Sequence, residues 1–181
     1  MKRLLLTSAG FENPVIRDSF LRLLGKSPEK AKALFIPTAA VDDGARVMLP
    51  KCRNDLLSAG ILPEHIEAFD LDRPMDAQEI SGYDTVYFCG GDTAHLLSRV
   101  RGSGFAEVLD RALERGLLYV GVSAGSIICA RNLPGHLDYL PHRLEVHCEK
   151  GSPPGPLGEE TVRLTNAQAI CIEGGRSELI E

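Results

Sequence analysis

Tryptophan is absent from this 181-residue chain, and its aromatic stock is six phenylalanines and four tyrosines. The formal net charge of -5, with Lys and Arg scattered along the chain, gives no electrostatic footprint for nucleic acid. No apolar run reaches the roughly 20 residues that span a bilayer, so no membrane partner is expected. The start, Met1-Lys2-Arg3-Leu4-Leu5-Leu6-Thr7-Ser8, carries too short an apolar core for a signal peptide and reads as a first buried strand. Cys52, Cys89, Cys129, Cys148 and Cys171 are odd in number and lack CxxC spacing. That argues against a disulfide framework and a zinc site, and for a reducing, cytoplasmic setting. No GxxxxGK[ST] occurs and no GxGxxG follows a strand, so no nucleotide site is indicated. With 44% hydrophobic and 25% charged residues, the chain has an ordinary globular composition. It is long enough to fold as one domain over residues 1–181.

What is present is alternation. Apolar runs of strand length occur at Arg3–Thr7, Ala33–Thr38, Ile66–Leu71, Asp84–Cys89 and 116–120. Helical spacing separates them at Pro14–Leu24, Asp43–Ala59, Thr93–Arg101 and Phe105–Gly116. This order implies βαβ units, a mostly parallel central sheet covered on both faces, and hence a three-layer α/β/α sandwich. From Arg143 onward the pattern changes. Arg143–Cys148, Thr161–Thr165 and Gln168–Ile172 read as strands, giving a β-rich C-terminal segment, and Glu149–Glu160 reads as an exposed loop over the site. In parallel sheets, ligand chemistry gathers at the carboxyl ends of strands. Three Gly- or Thr-rich exits fall there: Thr7–Gly10, Cys89–Thr93 and Gly121–Ser126.

The last of these, Gly121-Val122-Ser123-Ala124-Gly125-Ser126, is the sequence form of a nucleophile elbow. A serine at the tip of a tight strand-to-helix turn needs small neighbours, and Gly121, Ala124 and Gly125 supply them. The Ala124 N–H is then left facing the place where an oxyanion develops. The alternative is an ordinary Gly-rich turn. A serine nucleophile requires a base. Of five histidines, His147 at the end of Leu144-Glu145-Val146 is best placed, ahead of His142; His65, His95 and His136 read as turn or helix-face residues. Asp138, Glu145 and Glu149 are the candidate acids, Glu145 sharing a strand face with His147. Gly90-Gly91-Asp92-Thr93 reads either as the second half of an oxyanion hole or as a capped helix start.

Together these residues resemble the peptidase E family of serine peptidases, aspartyl dipeptidases with cyanophycinase relatives, whose fold is similar to class I glutamine amidotransferases. The resemblance rests on four motifs in order: Phe88–Leu97, where Asp92 stands for an Asn of the family's Gly-Gly-Asn-Thr; Gly121–Ser126; Asp138–His147; and Leu164–Ile170, similar to the family's Leu-Thr-Asp-x-Gln-Ala hairpin. It implies Ser123 as nucleophile and His147 as base, with His142 outside the chemistry. The expected site is then Ser123, His147 and Asp138, an oxyanion hole from Gly91, Asp92 and Ala124, and substrate contacts from Gly90 and Thr93. The expected activity is hydrolysis of a small peptide, with Asp-x dipeptides or related amides as substrate, no cofactor, and a homodimer as the assembly. The chain departs from the family pattern in three places. Only 24 positions separate Ser123 from His147, which shortens the segment that carries the family's acid. Val146 and Cys148 replace the usual Pro and Tyr. In the segment between His147 and the Leu164–Ile170 hairpin, Lys150 and Arg163 are the only cations available to receive an acidic side chain. The alternative function is a relative that keeps the turn as structure and binds a ligand or partner without turnover; the short acid segment is the feature that favours it.

Overall fold

A computed structural model describes all residues from Met1 to Glu181. Ten strands and seven helices follow one another along the chain. The strands are β1 Arg3–Thr7, β2 Ala33–Ile36, β3 Ile66–Ala68, β4 Thr85–Phe88, β5 Leu118–Val122, β6 Arg143–Glu145, β7 Gly155–Pro156, β8 Thr161–Arg163, β9 Ala169–Glu173 and β10 Arg176–Ile180. The helices are α1 Pro14–Leu24, α2 Asp43–Arg46, α3 Leu49–Ser58, α4 Ala77–Ile80, α5 Thr93–Gly102, α6 Phe105–Glu114 and α7 Ala124–Ile127.

Eight strands form one sheet in the order β3-β2-β4-β5-β1-β9-β10-β7, and β6 pairs with β8 in a separate ribbon. The stretch from β3 to β1 is parallel, and β9, β10 and β7 join antiparallel. Parallel strands β2, β4, β5 and β1 are buried on both faces, which is why they read as unbroken apolar runs rather than alternating ones. Their side chains divide by pleat. Leu4, Leu6, Val86 and Phe88 face the core beneath α4, α5 and α6, whereas Leu5, Tyr87 and Val120 face that beneath α1 and α3. The result is the expected α/β/α sandwich.

Local chemistry sets the helix limits. Asn13 caps α1 by accepting from Ile16 N, Pro14 occupies the first turn, and Gly25 ends the helix in the left-handed region at φ 69. The helix expected over Asp43–Ala59 is broken into α2 and α3. Pro50 explains the break: inside one continuous helix its ring would clash with the Arg46 carbonyl, whereas in the first turn of α3 it is tolerated. Strand β10 was not expected from the sequence, because its Arg176-Ser177-Glu178 start is polar; it pairs with β9 along its full length, and β7 covers its other side at Glu178 and Leu179. The Glu149–Glu160 segment, expected as a loop over the site, is instead tied to that far sheet edge through β7.

Candidate active site

Strands β4, β5 and β1 are neighbours, so their carboxyl ends bring Gly90, Ser123 and Ser8 together. Ser123 sits between β5 and α7 at φ 49 and ψ -107, a backbone conformation that costs a non-glycine residue about 1–3 kcal/mol. Its surroundings hold it there. The Ser123 N–H donates to Thr7 O at 3.0 Å, and Ser126 Oγ donates to the same carbonyl at 2.8 Å. Buried Tyr119 donates its hydroxyl to Gly125 O at 2.6 Å. Small residues are obligatory at this turn. A Cβ on Gly121 would lie 2.7 Å from the Gly125 carbonyl carbon, one on Gly125 would lie 2.6 Å from Phe88, and one on Gly90 would lie 3.2 Å from Ser123 Cβ.

His147 Nε2 lies 3.1 Å from Ser123 Oγ. This histidine comes from the end of β6, but by a turn rather than by strand extension: His147 has φ 58, and its N–H donates to Ser8 Oγ at 2.8 Å. On the other side of the ring, Nδ1 faces Asn166 Oδ1 at 2.8 Å, and Ser8 Oγ donates to that same oxygen at 3.2 Å. An amide oxygen only accepts, so this contact assigns the proton to Nδ1 and leaves Nε2 free to accept from the serine. Asn166 is presented by a turn that Gln168 braces. The Gln168 Oε1 accepts from Thr165 N at 3.1 Å, and its amide donates to Ser152 O at 3.1 Å and to Glu181 Oε2 at 2.7 Å.

Asp138, expected to orient the histidine, is elsewhere. Leu137 N donates to Ile128 O and Leu140 N to Cys129 O, so the buried leucines turn inward and the carboxylate outward. It lies 3.5 Å from both Arg131 and His136. Glu145 also misses His147, because strand alternation stops at β6; it pairs with Arg163 across the ribbon at 3.0 Å. His142 is turned away, with Nδ1 at 2.6 Å from Glu159 O.

The expected oxyanion donors divide. The Asp92 N–H is committed to Ala39 O at 2.8 Å, and the Asp92 side chain caps α5 by accepting from His95 N at 2.8 Å. It is a helix cap. The Gly91 N–H donates to no backbone acceptor, and Ala124 N–H, at the first residue of α7, has no intrahelical acceptor. Gly91, at φ 139, leaves no room for a side chain, since its Cβ would meet Ala39 O at 2.0 Å. Gly90 and Gly91 line the cavity beside Ser123, while Thr93 opens α5 outside that lining. No group of three or more His, Cys, Asp or Glu side chains is gathered to hold a metal ion.

That cavity measures about 290 Å³ and is lined by Ser123, His147, Ser8 and residues of α3, including Asp55. Asp55 is buried, and burial pushes its carboxyl above the usual range, opposed by hydrogen bonds from the Tyr87 hydroxyl and Phe11 N–H. Asn166, Ser8 and Asp55 were all missed as site residues in the sequence. Two carried a signal. Asn166 stands where the resembling hairpin has Asp, and Asp55 is a lone carboxylate among the apolar positions Cys52, Leu56 and Ala59.

The α/β sandwich is shared with solved structures. A candidate peptidase E protein from Listeria monocytogenes EGD-e superposes with a TM-score of 0.76 at 22% identity, covering 100% of this chain and 98% of that one. A peptidase from an acI-B1 actinobacterium gives 0.72 at 16% identity, covering 99% and 87%. The model of peptidase family S51 matches residues 4–143, and the chain belongs to that family. Among curated relatives, an uncharacterized peptidase of Pasteurella multocida is 27% identical over 74% of this chain and 62% of its own length. Peptidase E of Shewanella amazonensis is 28% identical over 88% and 72%. The chain thus spans less than two thirds of the Pasteurella relative's length.

Proposed function

We propose that this chain is a serine-type peptidase that cleaves small peptides or related amides through an acyl-enzyme on Ser123. The observation that carries it is the 3.1 Å contact between Ser123 Oγ and His147 Nε2, with Nδ1 held by Asn166. Ser123 Oγ attacks the substrate carbonyl as its proton passes to Nε2. The N–H groups of Gly91 and Ala124 stabilise the tetrahedral oxyanion. Nε2–H then protonates the leaving amine as the C–N bond breaks. Water, deprotonated by the same nitrogen, releases the acid. Asn166 acts as orienting acceptor in place of an acid, an arrangement also used by cysteine peptidases of the papain type. The strained serine is the nucleophile elbow, and the chemistry requires neither metal nor organic cofactor.

The test is hydrolysis of a dipeptide panel and an activated ester by wild type and Ser123→Ala. Loss of more than about 10³-fold in kcat is expected on removing the nucleophile. Unchanged turnover in Ser123→Ala would overturn the assignment, and a folded wild type that cleaves none of the panel would favour a binding protein.

A further inference from the structure

The cavity beside Ser123 has one unusual wall. Asp55, on α3, is only 7% exposed, yet its two oxygens are unequally used. Oδ2 accepts from the Tyr87 hydroxyl at 2.5 Å and from Phe11 N at 3.1 Å. Oδ1 has no hydrogen-bond partner in the protein. It is not sealed in either, since the buried side-chain polar atoms lacking a partner are Thr38 Oγ1 and His65 Nδ1. Asp55 lines the same cavity as Ser123 and His147, and Oδ1 is its oxygen left free to meet a ligand there. The rest of the wall is largely apolar, from Ala45, Met48, Leu49, Cys52, Cys89 and Val122. Lys51, also on the wall, is half-exposed and paired with Glu12, and its charge favours the ionised form of Asp55. No arginine lines the cavity.

Resting on the Ser123 chemistry proposed above, we infer that this cavity receives a protonated amine on the acyl half of the substrate, bound at Asp55 Oδ1, and disfavours an acidic acyl residue. A carboxylate among apolar side chains interacts strongly with a cation because little water competes. The same low-polarity wall magnifies repulsion of a second carboxylate. Burial already raises the Asp55 carboxyl, and an ammonium at Oδ1 acts in the opposite sense, favouring the ionised form. Gly10 permits the arrangement: a Cβ there would lie 2.2 Å from Asp55 Oδ2. The cavity volume of about 290 Å³ accommodates either an α-ammonium or the ammonium of a lysine-type side chain.

The test is protection of Ser123 against a fluorophosphonate by four ligands. These are alaninamide, Nα-acetyl-lysinamide, Nα-acetyl-norleucinamide and Nα-acetyl-aspartamide with a free side-chain carboxylate. At least one of the two ammonium ligands should halve the labelling rate at a concentration about tenfold below that of the neutral norleucine ligand. The aspartate ligand should be weakest. The better of the first two identifies which ammonium is bound. In Asp55→Asn the tenfold preference should shrink to within about twofold. Equal protection by ammonium and neutral ligands, or best protection by the aspartate ligand, overturns the inference, and this wild-type ranking stands even if Asp55→Asn does not fold. Failure of Ser123 to label at all overturns the hydrolase proposal instead.

Discussion

Replacing Asn166 separates orientation of the histidine from stabilisation of its charge. The amide oxygen sits 2.8 Å from His147 Nδ1 and fixes the tautomer, but it carries no full charge to meet the imidazolium formed during attack. Asn166→Asp keeps the acceptor and adds that charge. Two unit charges about 4 Å apart interact by about 1 kcal/mol in water and about 4 kcal/mol at an effective dielectric of 20. Asn166 and His147 are both exposed, so the lower figure applies. About 1 kcal/mol corresponds to roughly a fivefold gain in kcat. Asn166→Ala removes the acceptor. The remaining neighbour, Ser8 Oγ, is 3.4 Å from Nδ1, too long to hold the ring alone. A loss of about tenfold to a hundredfold in kcat is expected. The turn itself should survive both changes, because Gln168 rather than Asn166 braces it. Steady-state kcat on one peptide for the three proteins, with circular dichroism to confirm folding, decides the matter. Asn166→Ala within twofold of wild type, or Asn166→Asp slower than Asn166→Ala, would refute this role.

Other substitutions have distinct expected outcomes. His147→Ala should lower kcat by at least about 10²-fold, whereas His142→Ala, whose ring faces Glu159, should change it little; equal damage in steady-state assays would contradict the geometry. Asp138→Asn should stay within about threefold of wild-type kcat, because its carboxylate faces Arg131 and His136; a collapse of activity would place it back beside His147. Asp55 has a folded-state carboxyl value above the unfolded one. The native state therefore holds its proton more tightly, and stability is lost as pH rises from the ordinary carboxylate range through the raised value. Asp55→Asn should gain in relative Tm across that window, and a Tm difference independent of pH would contradict the burial argument.

The sheet was legible because its strands are short, doubly buried and separated by helix-length stretches, which only a covered parallel sheet satisfies. Leu4 to Leu6 and Val86 to Phe88 show this directly. The Ser123 turn was equally legible, since packing against Phe88 and within the turn itself restricts residues 121 and 125 to glycine. The His147 partner was not. Its position depends on a left-handed residue that ends the strand alternation, and on a turn from a hairpin 19 positions further along. Neither a positive φ at a histidine nor the approach of a distant loop leaves a periodic trace. Asp138 was the one acid between the elbow helix and the histidine strand, and that position along the chain proved a poor guide. The inward packing of Leu137 and Leu140 decides where its carboxylate points.

The central claim is that Ser123 is a nucleophile activated by His147. Fluorophosphonate treatment of the folded protein followed by peptide mass spectrometry tests it most directly. The expected result is a single adduct on Ser123, formed at least about 10²-fold more slowly in His147→Ala. An adduct on another residue, or an unmodified Ser123 in protein that still cleaves a peptide, would contradict it.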